Sequence, residues 1–141
     1  MKKYDKHKQL KKKAMKILEE DYSVAVYEEV TIRYPGMPKG IRVDVVGYRQ
    51  NCFGQRYDIA AECGKVSKER IAELCLYFDL VLHFPYEGEP RVWDGFRRFV
   101  KKNPEIFHLF YESEEFRKEL IKVLGDGEIY FRPGYVGSWY A

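Results

Sequence analysis

Two short segments, each with an acidic residue inside an otherwise apolar strand pattern, constrain this chain most. They are residues 41–48, with the sequence IRVDVVGY, and residues 57–64, with the sequence YDIAAECG. Asp44 lies inside the first segment and Glu62 lies inside the second. A carboxylate is costly to bury unless it is paired or binds a metal. The fold must therefore give both acids a partner.

The two segments are predicted to pair as neighbouring strands joined by a glycine-containing turn. Strict alternation places Val43 and Val45 on one face of the first strand and Asp44 on the other. On the second strand, Glu62 shares its face with Ala60. In an antiparallel hairpin Asp44 and Glu62 can lie side by side, which is unfavourable unless a cation lies between them. Hard oxygen ligands favour Mg²⁺ or Mn²⁺ over zinc.

The surrounding pattern predicts the order helix, strand, strand, strand, helix, strand. Residues 7–21 have the spacing of an amphipathic helix, and residues 23–34 alternate as a strand. Three further strands are expected at 41–48, 56–63 and 80–84, and Ser67 is expected to cap the helix that precedes the last of them. That helix returns the chain to the sheet as a crossover. The class is therefore α/β, with a mixed sheet flanked by helices.

Residues 87–141 are predicted to form a helical and hairpin extension of the core at 7–86, so that the whole chain 1–141 is a single domain. Helices are expected at Trp93–Lys102, after Pro104, and from a Ser113 cap to Leu124, with Gly125 as a stop. The aromatic segment 128–140 is expected to form a hairpin around Pro133-Gly134.

The αβββαβ order, with an Asp on the second strand and a Glu near the end of the third, resembles the PD-(D/E)XK nuclease superfamily. The resemblance covers residues 7–86 and is carried by RVDVVGY, DIAAECGKV and KERIAELCLYFDLVLHF. It implies a restriction-endonuclease-like fold in which Asp44, Glu62 and the backbone carbonyl of Cys63 hold Mg²⁺. It further implies that the metal activates a water molecule for attack on a DNA phosphodiester.

The chain departs from the family pattern at two positions. Val43 stands where the family name has proline, and Gly64 stands where the family has its lysine, two residues after the Glu. Lys65 is the nearest substitute, and it would reach the Glu62 face if the strand ended or bulged at Gly64. Lys68, at the start of the next helix, is another substitute.

A further acid from the first helix or first strand is common in the family. Glu28 shares its predicted face with Val26 and Val30, so we expect Glu28 to join the site and Glu29 to face solvent. His7, at the start of the first helix, is either a surface residue or a neighbour of the site.

The distribution of charge matters more than the net charge of +3. Lysines crowd the first helix, and a second basic cluster comprises Arg91, Arg97, Arg98, Lys101 and Lys102. Such clusters suit a polyanion such as DNA, although a solvated helix face gives the same pattern. The resemblance also allows a homodimer. No segment reaches the roughly 18 apolar residues of a membrane span, and a signal-peptide pattern is missing, so a cytoplasmic protein is expected.

Three function classes follow from these observations. The first is a Mg²⁺-dependent deoxyribonuclease. The second is a catalytically inactive nuclease-fold protein that binds nucleic acid or serves in assembly, which the glycine at position 64 favours. The third is a structural protein in which Asp44 pairs with Arg42 or Arg33.

Overall fold

The computed structural model describes residues 2–131. Its helices are α1 (Lys3–Tyr22), α2 (Lys68–Tyr77), α3 (Arg97–Lys102), α4 (Glu105–Glu112) and α5 (Glu114–Leu124). Its strands are β1 (Ala25–Ile32), β2 (Ile41–Gln50), β3 (Arg56–Cys63), β4 (Leu80–Phe84), β5 (Arg91–Asp94) and β6 (Glu128–Ile129). The first six elements in chain order confirm the predicted αβββαβ sequence.

The strands form one six-stranded mixed sheet in the order β1-β2-β3-β4-β5-β6. Neighbouring strands are antiparallel except for β3 and β4, which run parallel because α2 crosses between them. The predicted mixed sheet flanked by helices is confirmed. Residues 91–129 continue this sheet, since β5 and β6 extend it beyond β4.

Helices cover both faces of the sheet and create two apolar layers. On one face, α1 packs its apolar side against the strands; this layer contains Ala14, Leu18, Val24, Val45, Ile59, Leu82 and Phe84. On the other face, α2 to α5 pack against the strands; this layer contains Val43, Ala60, Leu74, Val81, Trp93, Val100 and Phe110. Gly47 permits the close approach of α1, because a Cβ there would lie 3.1 Å from Leu18 Cδ2 of that helix and 2.6 Å from Val24 Cγ2 just beyond it.

The alternation of β2 changes phase at Asp44, so the predicted strict alternation is wrong at this point. Val43 packs in the layer of α2 to α5, whereas Val45 packs in the layer of α1. The neighbouring strand changes phase at the same level, where Glu29 has a left-handed backbone with φ of 52°. Asp44 lies at this change of phase, with 22% of its side chain exposed.

The predicted helix caps of α2 and α5 are confirmed. Ser67 Oγ accepts a 3.1 Å hydrogen bond from the backbone N–H of Arg70. Ser113 Oγ accepts one of the same length from the backbone N–H of Phe116. The Ser67 cap fixes where α2 begins and so sets the position of the loop that follows Glu62.

The helix predicted for Trp93–Lys102 is wrong in its first part. Residues Arg91–Asp94 form β5, in which Trp93 lies opposite Val81, and α3 begins only at Arg97. Burial of Trp93 against the sheet outweighs the helical spacing of the later aromatic residues. Of the predicted aromatic hairpin, only β6 is described, and the turn at Pro133-Gly134 lies outside the described residues.

No helix in the part of the chain that the structure describes has the length and apolar character needed to span a membrane.

Candidate carboxylate site at the end of β3

The structure brings Asp44 and Glu62 together at the end of β3. Strands β2 and β3 pair with Val45 opposite Ala61, so the next positions along the ladder are Asp44 and Glu62. The two carboxyl groups are close enough for Asp44 to raise the pKa of Glu62. Asp44 Oδ2 also accepts a 2.8 Å hydrogen bond from the backbone N–H of Cys63. The site therefore contains two acids from adjacent strands with one of them held by the backbone.

Glu62 is the more buried acid, and its surroundings oppose its ionisation. Burial, the hydrogen bond with Asp44 and the charge of Asp44 raise the pKa of Glu62 to about 8. Arg70 opposes this rise, but its Nη1 atom is 3.8 Å from Glu62 Oε1. The same guanidinium group also contacts Glu73. The negative charge of the pair is thus only partly compensated by the described side chains.

Helix α1 contributes two basic side chains to the same region. His7 Nε2 lies 3.5 Å from Asp44 Oδ1. One turn later, Lys11 Nζ lies 3.4 Å from Glu29 Oε1, with only 13% of the Lys11 side chain exposed. Burial raises the pKa of the Cys63 thiol, and the charge of Lys11 opposes that rise, so Lys11 acts electrostatically on the site. Sequence reasoning missed Lys11, although its spacing of four residues from His7 places both on one helix face.

The two acids of β1, Glu28 and Glu29, have different contacts. Glu29 lies at the level of Asp44 in the ladder, between the pairs Glu28–Val45 and Val30–Val43, and forms ion pairs with Lys11 and with Arg42 at 2.9 Å. Glu28 is exposed, and within residues 2–131 no ion pair or hydrogen bond joins it to the carboxylate pair. A role for Glu28 in the site stays a prediction.

Gly64 has a backbone conformation and a neighbour that disfavour any side chain at this position. Its φ is +87°, and a Cβ at this position would lie 2.8 Å from Cζ of the Tyr86 ring. The carbonyl oxygen of Gly64 lies 2.6 Å from His83 Nε2, and His83 itself lies opposite Glu62 on β4. Tyr86 and His83 thus fix a tight turn immediately after Glu62. Neither contact was predicted, because both partners are distant in the sequence.

The two predicted lysine substitutes lie in different environments. Lys65 is exposed, just beyond the end of β3, and no described residue forms an ion pair with it. Lys68 Nζ is 3.0 Å from Asp126 Oδ1, beyond the C-terminus of α5. Lys65 therefore has the freer side chain of the two.

A cleft of about 480 Å³ has Arg70 in its wall, although neither Asp44 nor Glu62 lines it. Lys39 and Arg117 also line it, together with the acids Glu69 and Glu73. Arg70 contacts both Glu62 and Glu73, so the cleft and the pair are joined through one guanidinium group. The basic side chains of the cleft can donate hydrogen bonds to an anionic ligand.

The donor set of the pair fits an open magnesium site and not a closed protein cage. Within residues 2–131, no group of three or more His, Cys, Asp or Glu side chains is arranged to hold a metal ion. Mg²⁺ usually takes only one or two protein carboxylates and completes its coordination with water and substrate phosphate. Asp44 and Glu62 can supply those two carboxylates, and their mutual repulsion would be relieved by the cation.

Comparisons of the chain with protein-family models, with curated proteins and with solved structures found no match.

Proposed function

We propose that this protein is a Mg²⁺-dependent deoxyribonuclease with a restriction-endonuclease-like core. The observation that carries the proposal is the placement of Asp44 and Glu62 side by side on paired strands, with Glu62 buried. Such an arrangement is unfavourable for ionised acids unless a cation binds between them. The order of the first six elements and the location of both acids on the second and third strands support the same assignment.

The roles of the residues follow from their positions. Asp44 and Glu62, with the backbone carbonyl of Cys63, would hold Mg²⁺ or Mn²⁺. When bound, the metal would supply a Lewis acid and a water molecule of lowered pKa. The hydrogen bond from the Cys63 N–H orients Asp44 in advance. Lys65 would contact the phosphate that is cleaved, and Glu28 would be available at the edge of β1.

The raised pKa of Glu62 couples metal binding to proton release. Without a cation, burial and Asp44 favour the protonated form of Glu62 near neutral pH. Metal ligands must be deprotonated, so binding would displace that proton. Nuclease activity should therefore increase with pH between 6 and 8 at limiting Mg²⁺, since the carboxylate form becomes more available.

A second candidate is a catalytically inactive protein on the same scaffold, which binds nucleic acid or serves in assembly. The observation in its favour is Gly64, whose positive φ and proximity to Tyr86 leave no room for the family lysine. In this case the two acids would remain a structural hydrogen-bonded pair, and DNA binding would not require a metal.

The test is cleavage of labelled linear, circular and single-stranded DNA in Mg²⁺, Mn²⁺ or EDTA by the wild type and by Glu62→Ala. A matched control is Glu119→Ala, since Glu119 is exposed on α5. We expect metal-dependent cutting that is lost in Glu62→Ala and kept in the control. Cleavage by neither the wild type nor the control, with DNA binding retained, would reject the nuclease in favour of the second candidate.

A further inference from the structure

A stack of three side chains lies on the exposed surface of β1 to β3, away from the carboxylate pair. The rings of Tyr27 and Tyr48 are stacked, with centroids 5.9 Å apart and an interplanar angle of 15°. The Arg56 guanidinium carbon lies 4.6 Å from the centroid of the Tyr48 ring. Tyr27 is 50% exposed. We call Tyr27, Tyr48 and Arg56 the aromatic platform.

A basic cavity adjoins this platform and shares Arg56 with it. Its volume is about 340 Å³, and its lining residues are Gly54, Gln55, Arg56, Arg97, Arg98 and Lys101. Every charged side chain in this lining is basic. A cavity with such a lining favours an anion, because one phosphate can contact several cations at once.

Two buried acids hold part of this basic lining in place. Arg97 Nη1 lies 3.0 Å from Asp58 Oδ2 and 2.9 Å from Asp79 Oδ2, and Arg56 Nε lies 2.8 Å from Asp58 Oδ1. These contacts orient the guanidinium groups and offset their charge. Arg98 is 73% exposed, and its Nε atom makes only a distant contact of 3.9 Å with Asp79 Oδ1. Arg98 and the exposed Lys101 therefore provide most of the charge that is free to meet a ligand.

Tyr48 of the platform and Asp44 of the carboxylate pair lie on the same strand, β2. Tyr48 is four positions from Asp44 on β2, which is about 13 Å at the rise of a β-strand. A nucleic acid strand bound at Asp44 could therefore reach the platform within a few nucleotides. Aromatic rings with an exposed face bind bases by stacking, but a base inside a duplex has no free face to offer.

We propose that the aromatic platform and the basic cavity bind a single-stranded DNA segment, a base against the Tyr27 ring and a phosphate in the cavity. The inference deepens the proposed function, on which it rests for the reaction, by naming a substrate with unpaired nucleotides near the cleaved bond. Binding itself does not require the metal, so it can be measured separately.

The experiment is fluorescence anisotropy of a labelled single-stranded oligothymidylate and of a blunt duplex of equal length, both in EDTA. The proteins are the wild type, Tyr27→Ala and the double variant Arg98→Ala with Lys101→Ala. Tyr4→Ala is the matched control, because Tyr4 is 76% exposed on α1. Melting temperatures are measured alongside to show that each variant is folded.

We expect the wild type to bind the single strand at least fivefold more tightly than the duplex. Tyr27→Ala should weaken single-strand binding about tenfold, in the range found for loss of one stacked base, and leave duplex binding unchanged. The double variant should weaken single-strand binding and reduce its salt dependence. Tyr4→Ala should behave as the wild type.

Equal affinity for the single strand and the duplex, or no effect of Tyr27→Ala on single-strand binding, would overturn the inference. These outcomes are distinct from failure of the proposed function. Single-strand binding in EDTA without metal-dependent cleavage would reject only the nuclease. Metal-dependent cleavage without single-strand preference would reject only the platform.

Discussion

The backbone N–H of Cys63 donates a hydrogen bond of 2.8 Å to Asp44 Oδ2. This contact joins Asp44 of β2 to Cys63, the residue after Glu62 of β3. The sheet itself therefore holds the two carboxyl groups together. Asp44 thus has its orientation before any ligand binds. Preorganisation of this kind reduces the free-energy cost of forming a metal site. It also limits the movements by which the two carboxyl groups could separate and so reduce their mutual repulsion.

The pH dependence of stability should report the unfavourable ionisation of Glu62. Its pKa is raised from an ordinary 4.5 to about 8 in the folded protein, mainly by burial. The folded state therefore holds the proton more tightly than the unfolded state, and stability is lost as pH rises from about 4.5 through 8. In EDTA, the wild type should lose at least about 1.4 kcal/mol over this range relative to Glu62→Gln, the equivalent of one pKa unit.

Urea unfolding at pH 5, 6, 7 and 8 measures this difference directly. Glu119→Gln, an exposed acid on α5, serves as the control and should follow the wild type. Parallel pH profiles for the wild type and Glu62→Gln would show that Glu62 ionises normally in the fold.

Magnesium should stabilise the protein through the same two acids. A ligand that binds only the folded state adds stability in proportion to the logarithm of its concentration over Kd, about 2.7 kcal/mol at a hundredfold excess. For a chain of this size that corresponds to a rise in Tm of about 9 °C. The rise should be absent in Asp44→Asn and in Glu62→Gln. Calorimetry at pH 7 in two buffers of different ionisation enthalpy should also detect proton release.

The same stabilisation in Glu62→Gln as in the wild type would mean that Mg²⁺ binds elsewhere. Asp126→Asn is a suitable control, because Asp126 is an exposed acid whose described partner is Lys68.

Placing a side chain at position 64 should destabilise the protein. Gly64 has φ of +87°, and a Cβ would lie 2.8 Å from the Tyr86 ring. Gly64→Ala should therefore cost about 1–3 kcal/mol in the free energy of unfolding, from backbone strain and the steric conflict. In a double-mutant cycle with Tyr86→Ala, part of this cost should disappear, because the conflicting ring is removed. Strict additivity in the cycle would mean that the backbone conformation alone accounts for the cost.

Several features of this fold were predictable because they depend on local patterns. The strands β1 to β4 follow from alternating or continuous apolar patterns. The caps at Ser67 and Ser113 follow from side chains that form hydrogen bonds with backbone groups close in the sequence. The meeting of Asp44 with Glu62 follows from the pairing of neighbouring strands. These relationships are short-range, so a single amino-acid sequence is sufficient to predict them.

The remaining features depend on contacts between distant residues. The strand at Trp93 forms because β4 presents an unpaired edge, which outweighs the helical spacing of the segment. The phase change at Asp44 accompanies the left-handed backbone of Glu29. The sequence does not predict this conformation, because it is uncommon for residues other than glycine. The ring of Tyr86 reaches Gly64 across 22 positions, so the glycine at position 64 could be read from the sequence but its steric surroundings could not.

Under the proposed function, Lys65 is the lysine expected to serve the reaction. Lys65 is exposed beside the pair, whereas Lys11 is mostly buried and bound to Glu29. Lys65→Ala should lower the rate of Mg²⁺-dependent cleavage by about 10²-fold, as loss of one charge-stabilising group does, while Tm stays within about 1 °C of the wild type. Lys11→Ala should lower Tm, because it leaves Glu29 with one partner fewer. Lys12→Ala, on the exposed side of α1, is the control. If Lys65→Ala cleaves as fast as this control while Lys11→Met is inactive and folded, the lysine of the site comes from α1.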